Sequence, residues 1–295
     1  MSTPGSTSQA GLAAIWMTGA ILAFSSMAVA GRAVAPHLDT FEIMMYRSFI
    51  GSVLVVVIGG ALGRLVDIAP RRLGLHLARN TCHFTGQNLW FYALTLIPLA
   101  QLFALEFTSP IWVMILAALL LGEKLTRIRV LAVALGFAGA LIVANPGGES
   151  NGLGLTLAAA SAIGFAGSIV LTKLLTRTET TMSILFWLTV MQAGMGLVAA
   201  GHDGAITWPP LIVWPWVILI GAAGLFAHLC LTRALTIAPA VLVVPMDFLR
   251  LPAIAIVGAR FYGEALNPLV FAGALLIFAA NFMNVWADRR AAAKV

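Results

Sequence analysis

Charge is what this 295-residue chain lacks most. Only 9% of its residues are charged, 17 Lys and Arg against 11 Asp and Glu, where a soluble domain has about a quarter. With 61% hydrophobic residues and a mean hydropathy of +0.99, the chain has too little polar surface to face water, and a soluble protein is excluded. Its two cysteines, Cys82 and Cys230, lie inside apolar runs and far from metal-ligand spacing, which excludes a disulfide framework and a zinc site. The chain also has no H-E-x-x-H and no glycine-flanked Ser nucleophile with a partner His. Neither an enzyme nor any catalytic residue, cofactor or metal is therefore expected. The pI near 10.0 would suggest nucleic acid in a soluble protein. Here the basic residues sit at the ends of apolar runs, where they set membrane orientation, so no nucleic-acid partner is expected.

Long apolar runs are what the chain has in abundance. A hydrocarbon core of about 30 Å needs roughly 20 helical residues. The pattern predicts an all-α membrane protein with spans at about 12–30, 41–62, 74–96, 99–121, 128–146, 152–174, 181–200, 211–234, 239–260 and 267–287. The N-terminal MSTPGSTSQA lacks a basic segment and an A-x-A site, so the first span is expected to be retained. Ten spans put both termini on one side. Arg64, Arg71, Arg72, Arg79, Lys124, Arg127, Arg129, Lys173, Arg177, Arg233, Arg289, Arg290 and Lys294 share one face, and only Arg32 and Arg260 fall opposite. That bias places both termini in the cytoplasm of a bacterial inner membrane. Asn145-Pro146-Gly147-Gly148 is uncharged and Trp208, Trp214 and Trp216 cluster at the other interface, as aromatic belts do.

The chain is also written twice. A shift of 141 positions, without a gap, lays Ala93-Leu94-Thr95 on Ala234-Leu235-Thr236, Pro98 on Pro239, Glu106 on Asp247, Phe107 on Phe248 and Gly122-Glu123 on Gly263-Glu264. It also lays Phe24 on Phe165 and Arg32 on Lys173, so the repeat is half the chain. Five spans per half give two inverted five-helix repeats, 11–147 and 148–287, between short cytoplasmic tails at 1–10 and 288–295. Such symmetry offers two nearly equivalent packings, one open to each side of the membrane.

The segments NLWFYALTLIPLA, LLLGEKLTRIRVLAVALGFAGALIVANPGG, LTRALTIAPA and FYGEALNPLVFAGALLIFAAN resemble the ten-helix EamA-type permeases of the drug/metabolite transporter superfamily. The likeness covers nearly the whole chain, and the paired Gly-Glu is its most specific part. It implies a secondary transporter with a substrate pathway between the halves and no attached ATPase. The subgroup it is most similar to, aromatic amino-acid exporters, implies export of aromatic or other neutral amino acids. Carriers for another metabolite or an amphipathic drug, and a channel-like facilitator, are the alternatives. The partners expected are a small-molecule substrate and the lipid bilayer, with proton coupling through a buried carboxylate as an option.

The candidate substrate-binding residues are His83, Gln87, Asn88, Phe91, Glu106, Phe165, Ser168, Arg47 and Asp247. In the third span Asn80, His83, Gln87, Asn88, Phe91 and Thr95 recur at intervals of mostly three and four. They form one polar stripe that must look inward, either as the pathway wall or as a helix–helix hydrogen-bond seam. Glu106 and Asp247 are repeat equivalents that bind a substrate ammonium or carry protons. Otherwise they are structural, Asp247 paired with Arg250 three residues on and Glu106 either paired with Arg47 or protonated. Arg47 either recognises a carboxylate or snorkels to an interface. Ser161, Phe165, Ser168 and Thr172 make a second stripe in span six. Gln192 and His228 are read as single structural hydrogen-bonders. Aromatic candidates for stacking are Trp16, Phe24, Trp90, Phe91, Tyr92, Trp112, Phe165 and Trp187. Pro110, Pro245 and Pro252 predict bends in spans four and nine, and each Gly-Glu a helix end with Glu facing water.

Overall fold

The computed structural model describes residues 4–68, 71–121, 127–144, 151–238, 243, 246–247 and 250–292. Gly122-Glu123, Asn145-Pro146-Gly147-Gly148, Pro239 and Pro245 lie outside them, as does the side chain of Pro252. No strand occurs among the described residues. The helices are α1 (Pro4–Val34), α2 (Thr40–Ala61), α3 (Leu73–Leu96), α4 (Leu99–Glu106), α5 (Ser109–Leu121), α6 (Arg127–Ala144), α7 (Gly152–Leu175), α8 (Thr181–Ala200), α9 (Trp214–Ile237), α10 (Arg250–Tyr262) and α11 (Pro268–Ala292).

With α4 and α5 as two parts of the fourth crossing, these helices give the ten membrane crossings. Six described segments are long and apolar enough to cross by length and hydropathy alone. The 24-residue α3 is not among them, because its core-facing side carries Arg79, Asn80, His83, Gln87 and Asn88. A helix this polar is stable in lipid only when its neighbours cover it.

Local signals set the helix ends. Asp39 Oδ1 accepts from the Glu42 amide at 2.8 Å and Glu42 Oε2 from the Asp39 amide at 3.0 Å, a capping box that starts α2. Asn151 and Thr180 cap α7 and α8 through side-chain oxygens. The fourth crossing breaks between Glu106 and Ser109 because Pro110 has no amide hydrogen for the Glu106 carbonyl. The Ser109 hydroxyl takes that place, donating to Glu106 O at 2.5 Å, so the break leaves no orphaned acceptor there. Gly263, at φ +65°, ends α10 in the left-handed conformation that favours glycine.

The packing repeats as the sequence does. α1 lies against α9, α3 against α7, α2 against α8 and α6 against α11. The 141-residue shift exchanges the first two pairs and maps each of the others onto itself. Even a capping bond is duplicated: Arg32 donates to the Leu94 carbonyl, and Lys173, its repeat equivalent, donates at 3.0 Å to Leu235, the equivalent of Leu94. The α3–α7 crossing is close enough that a Cβ on Gly164 would lie 2.8 Å from Gly86 Cα, the small-residue approach expected of membrane helices.

Candidate functional site

A cavity of about 110 Å³ lies between the halves. Its lining obeys the repeat: Phe24 and Phe165, Met27 and Ser168, Gln87 and His228, Trp90 and Leu231, Glu106 and Asp247, and Ser109 and Arg250 all border it, and each pair is 141 residues apart. The pseudo-two-fold axis therefore runs through the cavity.

At one pole the two halves share a charge cluster. Arg250 Nη2 donates to Glu106 Oε1 at 2.7 Å and to Asp247 Oδ2 at 2.5 Å, and Trp90 Nε1 donates to Glu106 Oε2 at 2.7 Å. The guanidinium also lies over Phe103, Phe24 and Phe107, 4.7 to 5.6 Å from their ring centres, where aromatic faces attract a cation. The Asp247–Arg250 pair was expected, but Glu106 reaches Arg250 rather than Arg47. At the other pole the network is neutral or cationic. Gln192 Nε2 lies 2.8 Å from His83 Nδ1 and 3.3 Å from Asn80 Oδ1, and Gln192 Oε1 accepts from Arg47 Nη1 at 3.4 Å. Arg79 donates to Asn80 Oδ1 at 2.8 Å and to Thr172 Oγ1 at 3.1 Å. The His83 and His228 rings meet edge to face, centres 4.7 Å apart.

Of the sequence candidates, His83, Gln87, Glu106, Phe165, Ser168 and Asp247 border the cavity. Arg47 neither snorkels nor reaches it: the residue is 5% exposed and borders a small adjoining cavity that shares His228. Asn88 returns its amide to the Phe84 carbonyl, Phe91 packs on Trp90, and Thr95 is exposed and bonds the carbonyl of Tyr92. Gln192 is no single hydrogen-bonder, for it joins three side chains. Glu264 does not face water: it is ion-paired with Arg32 and accepts from the Leu99 amide at 2.9 Å.

The lining departs from symmetry in one direction. His83, Ile169, Thr172, Thr232 and Leu235 border the cavity, while their repeat equivalents Gly224, Ala28, Gly31, Phe91 and Leu94 do not. Ala28, Phe91 and Leu94 are at most 1% exposed, and a Cβ on Gly31 would lie 2.7 Å from Phe91. Above that seal Arg32 ties Glu264 to the carbonyls of Leu94 and Ile97. The cavity thus extends toward the Lys173 end and is shut at the Arg32 end.

Both halves match the EamA-like transporter family, at residues 11–145 and 152–286, the second segment 141 positions after the first. The chain belongs to the EamA-like transporter family. It is a multi-pass membrane transporter of the drug/metabolite superfamily and not an enzyme. It is similar to a riboflavin transporter of Brucella anthropi, 39% identical over 70% of this chain and 75% of that one. It is also similar to an S-adenosylmethionine uptake transporter of Rickettsia bellii, 23% identical over 95% of each. A protein crystal structure, 20% identical and covering 94% of this chain and 98% of its own, superposes with a TM-score of 0.67 and supports the fold alone.

The EamA-family site contains residues to which sequence reasoning gave only structural roles. His228, read as a structural hydrogen-bonder, borders the cavity with its Nε2 unpartnered among the described residues and was legible as the repeat equivalent of Gln87; Arg250, read only as the partner of Asp247, was legible as the equivalent of Ser109. Arg79 was not: four residues before the polar stripe's His83 it resembles a cation at a span end, yet it is 3% exposed inside the bundle.

Proposed function

We propose that this transporter is a secondary carrier for a small metabolite with a flat conjugated ring, and that riboflavin is the first compound to test. The observation that carries this reading is the cavity on the repeat axis, walled by Phe24, Trp90 and Phe165 from both halves. Offset stacking on such rings holds a planar ligand, and the hydrogen-bonding groups of His83, Gln87 and Ser168 around them suit a heteroaromatic edge. The name of the relative at 39% identity supports a flavin. Aromatic amino-acid export finds no counterpart in the names of the relatives described above, so a heteroaromatic metabolite replaces it here. Asn88 and Phe91 act behind the wall, and Glu106 and Asp247 as organisers of Arg250.

The repeats at 11–147 and 148–287 exchange two arrangements about the cavity. With the Lys173 end carrying most of the basic residues, both termini are cytoplasmic and the arrangement described is the inward-open one. This reading invokes no proton step, with Glu106 engaged by Arg250 and Trp90.

The test is complementation of a bacterial strain that neither makes nor imports riboflavin. Expression should lower the external riboflavin needed for growth and give saturable accumulation of the label, and Phe165→Ala should lose most of both while reaching the membrane in equal amount. Growth and accumulation that do not change with expression would overturn the flavin reading.

A further inference from the structure

The cationic pole of the cavity has no counter-charge among the described residues. Arg79 and Arg47 are 3% and 5% exposed, and neither meets a carboxylate among the described residues. Their partners are neutral: Asn80 and Thr172 for Arg79, Gln192 and the Met44 sulfur for Arg47. Arg79 borders the main cavity, and its Nη2 makes no hydrogen bond among the described residues. Of the other residues bordering that cavity, Gln87 and His228 each have a buried Nε2 without a partner among the described residues, and so does Arg47 at its Nε beside the adjoining cavity. The two guanidiniums are joined through Asn80 and Gln192. This contrasts with the opposite pole, where Arg250 is paired with both Glu106 and Asp247.

A buried ion costs several kcal/mol unless an opposite charge and hydrogen bonds compensate it. Among the described residues the compensation is only partial, Gln87 and His228 with their unmatched nitrogens border the same cavity as Arg79, and a guanidinium fork fits the two oxygens of a carboxylate or phosphate. From the unpaired Arg79 at the wall of the cavity we infer that the transported molecule carries an anionic group, a carboxylate or a phosphate monoester, which docks on Arg79 while its ring lies between Phe24 and Phe165. Arg47 is a positioning residue, holding Gln192 and through it Asn80 against Arg79. The inference rests on the carrier reading and narrows its substrate class.

The experiment compares ligands that differ only in the anion, at constant ionic strength, by equilibrium binding to the protein in lipid nanodiscs. Riboflavin 5′-phosphate against riboflavin probes a phosphate, and indole-3-acetate against indole-3-ethanol a carboxylate. At least one anionic member should bind about tenfold or more tighter than its neutral partner. Arg79→Gln should erase that preference and Arg79→Lys keep most of it, while Arg47→Gln should weaken it without erasing it. Thermal unfolding without ligand identifies a variant that has merely misfolded, and Arg79→Lys then carries the comparison. Equal binding within both pairs, or a preference that survives Arg79→Gln, would overturn the inference. Riboflavin transport without any anion preference would remove this inference and leave the carrier standing. Anion-selective binding without transport of any of the four would keep the site and remove the carrier.

Discussion

Arg250 is the residue on which the two halves meet, since Glu106 comes from the first repeat and Asp247 from the second. Its side chain is 3% exposed, so removing it leaves two carboxylates, 14% and 21% exposed, without their shared cation. Breaking a buried pair in this way costs about 3–5 kcal/mol, whereas replacing the whole cluster by neutral groups of similar shape is often tolerated. Arg250→Met should therefore lower the stability of the purified protein by an amount in that range. The triple variant Arg250→Met with Glu106→Gln and Asp247→Asn should recover most of it, as read by thermal unfolding in the same lipid or detergent. Failure of the triple variant to recover would mean that Arg250 acts through its aromatic contacts rather than its charge. The sequence displayed half of this cluster, the i, i+3 spacing of Asp247 and Arg250. The other half, Glu106, depends on how α4 meets α10, a tertiary fact no spacing contains.

At the scale of elements, the break between α4 and α5 and the latch at the Arg32 end do different work. Pro110 and Ser109 fix where the fourth crossing divides, and the sequence announced a bend there. It did not announce the latch, because Glu264 at a helix end reads as a solvated residue until α1 is placed beside it. Glu264 accepts from Arg32 on α1 and from the Leu99 amide at the start of α4, so it ties three elements together over the buried Ala28, Phe91 and Leu94. A hydrogen bond to a charged group contributes about 1.5–3 kcal/mol. Glu264→Gln should then favour opening of that end by about tenfold or more. In a background with Cys82 and Cys230 replaced by Ala, a cysteine put in place of Ala28 should react with a small polar thiol reagent correspondingly faster when Glu264→Gln is added. An unchanged rate would show that the seal is held by apolar packing alone.

For the whole molecule, the helical architecture and the repeat were legible because both are written in local apolar runs and one constant offset. The polar stripe of α3 was legible for the same reason. What the offset does not reveal is which of two related arrangements the chain adopts. Thr172, Thr232 and Leu235 border the cavity while Gly31, Phe91 and Leu94 close over one another, and that difference arises from packing between residues equivalent in sequence. On the proposed carrier reading, the opposite arrangement exchanges the roles of these equivalent residues, and a small free-energy difference sets its population.

Spin-label distances at the two ends test this most directly. Thr178 and Thr236 are exposed near the Lys173 end, and their repeat equivalents His37 and Thr95 are exposed near the Arg32 end. With labels on cysteines at each pair in turn, in the cysteine-free protein in lipid nanodiscs, pulsed electron resonance should give two distance populations per pair. A shift toward the short population at one end should accompany a shift toward the long population at the other. A single, unchanging distance at both ends, in protein that still transports its substrate, would contradict alternation about the central cavity.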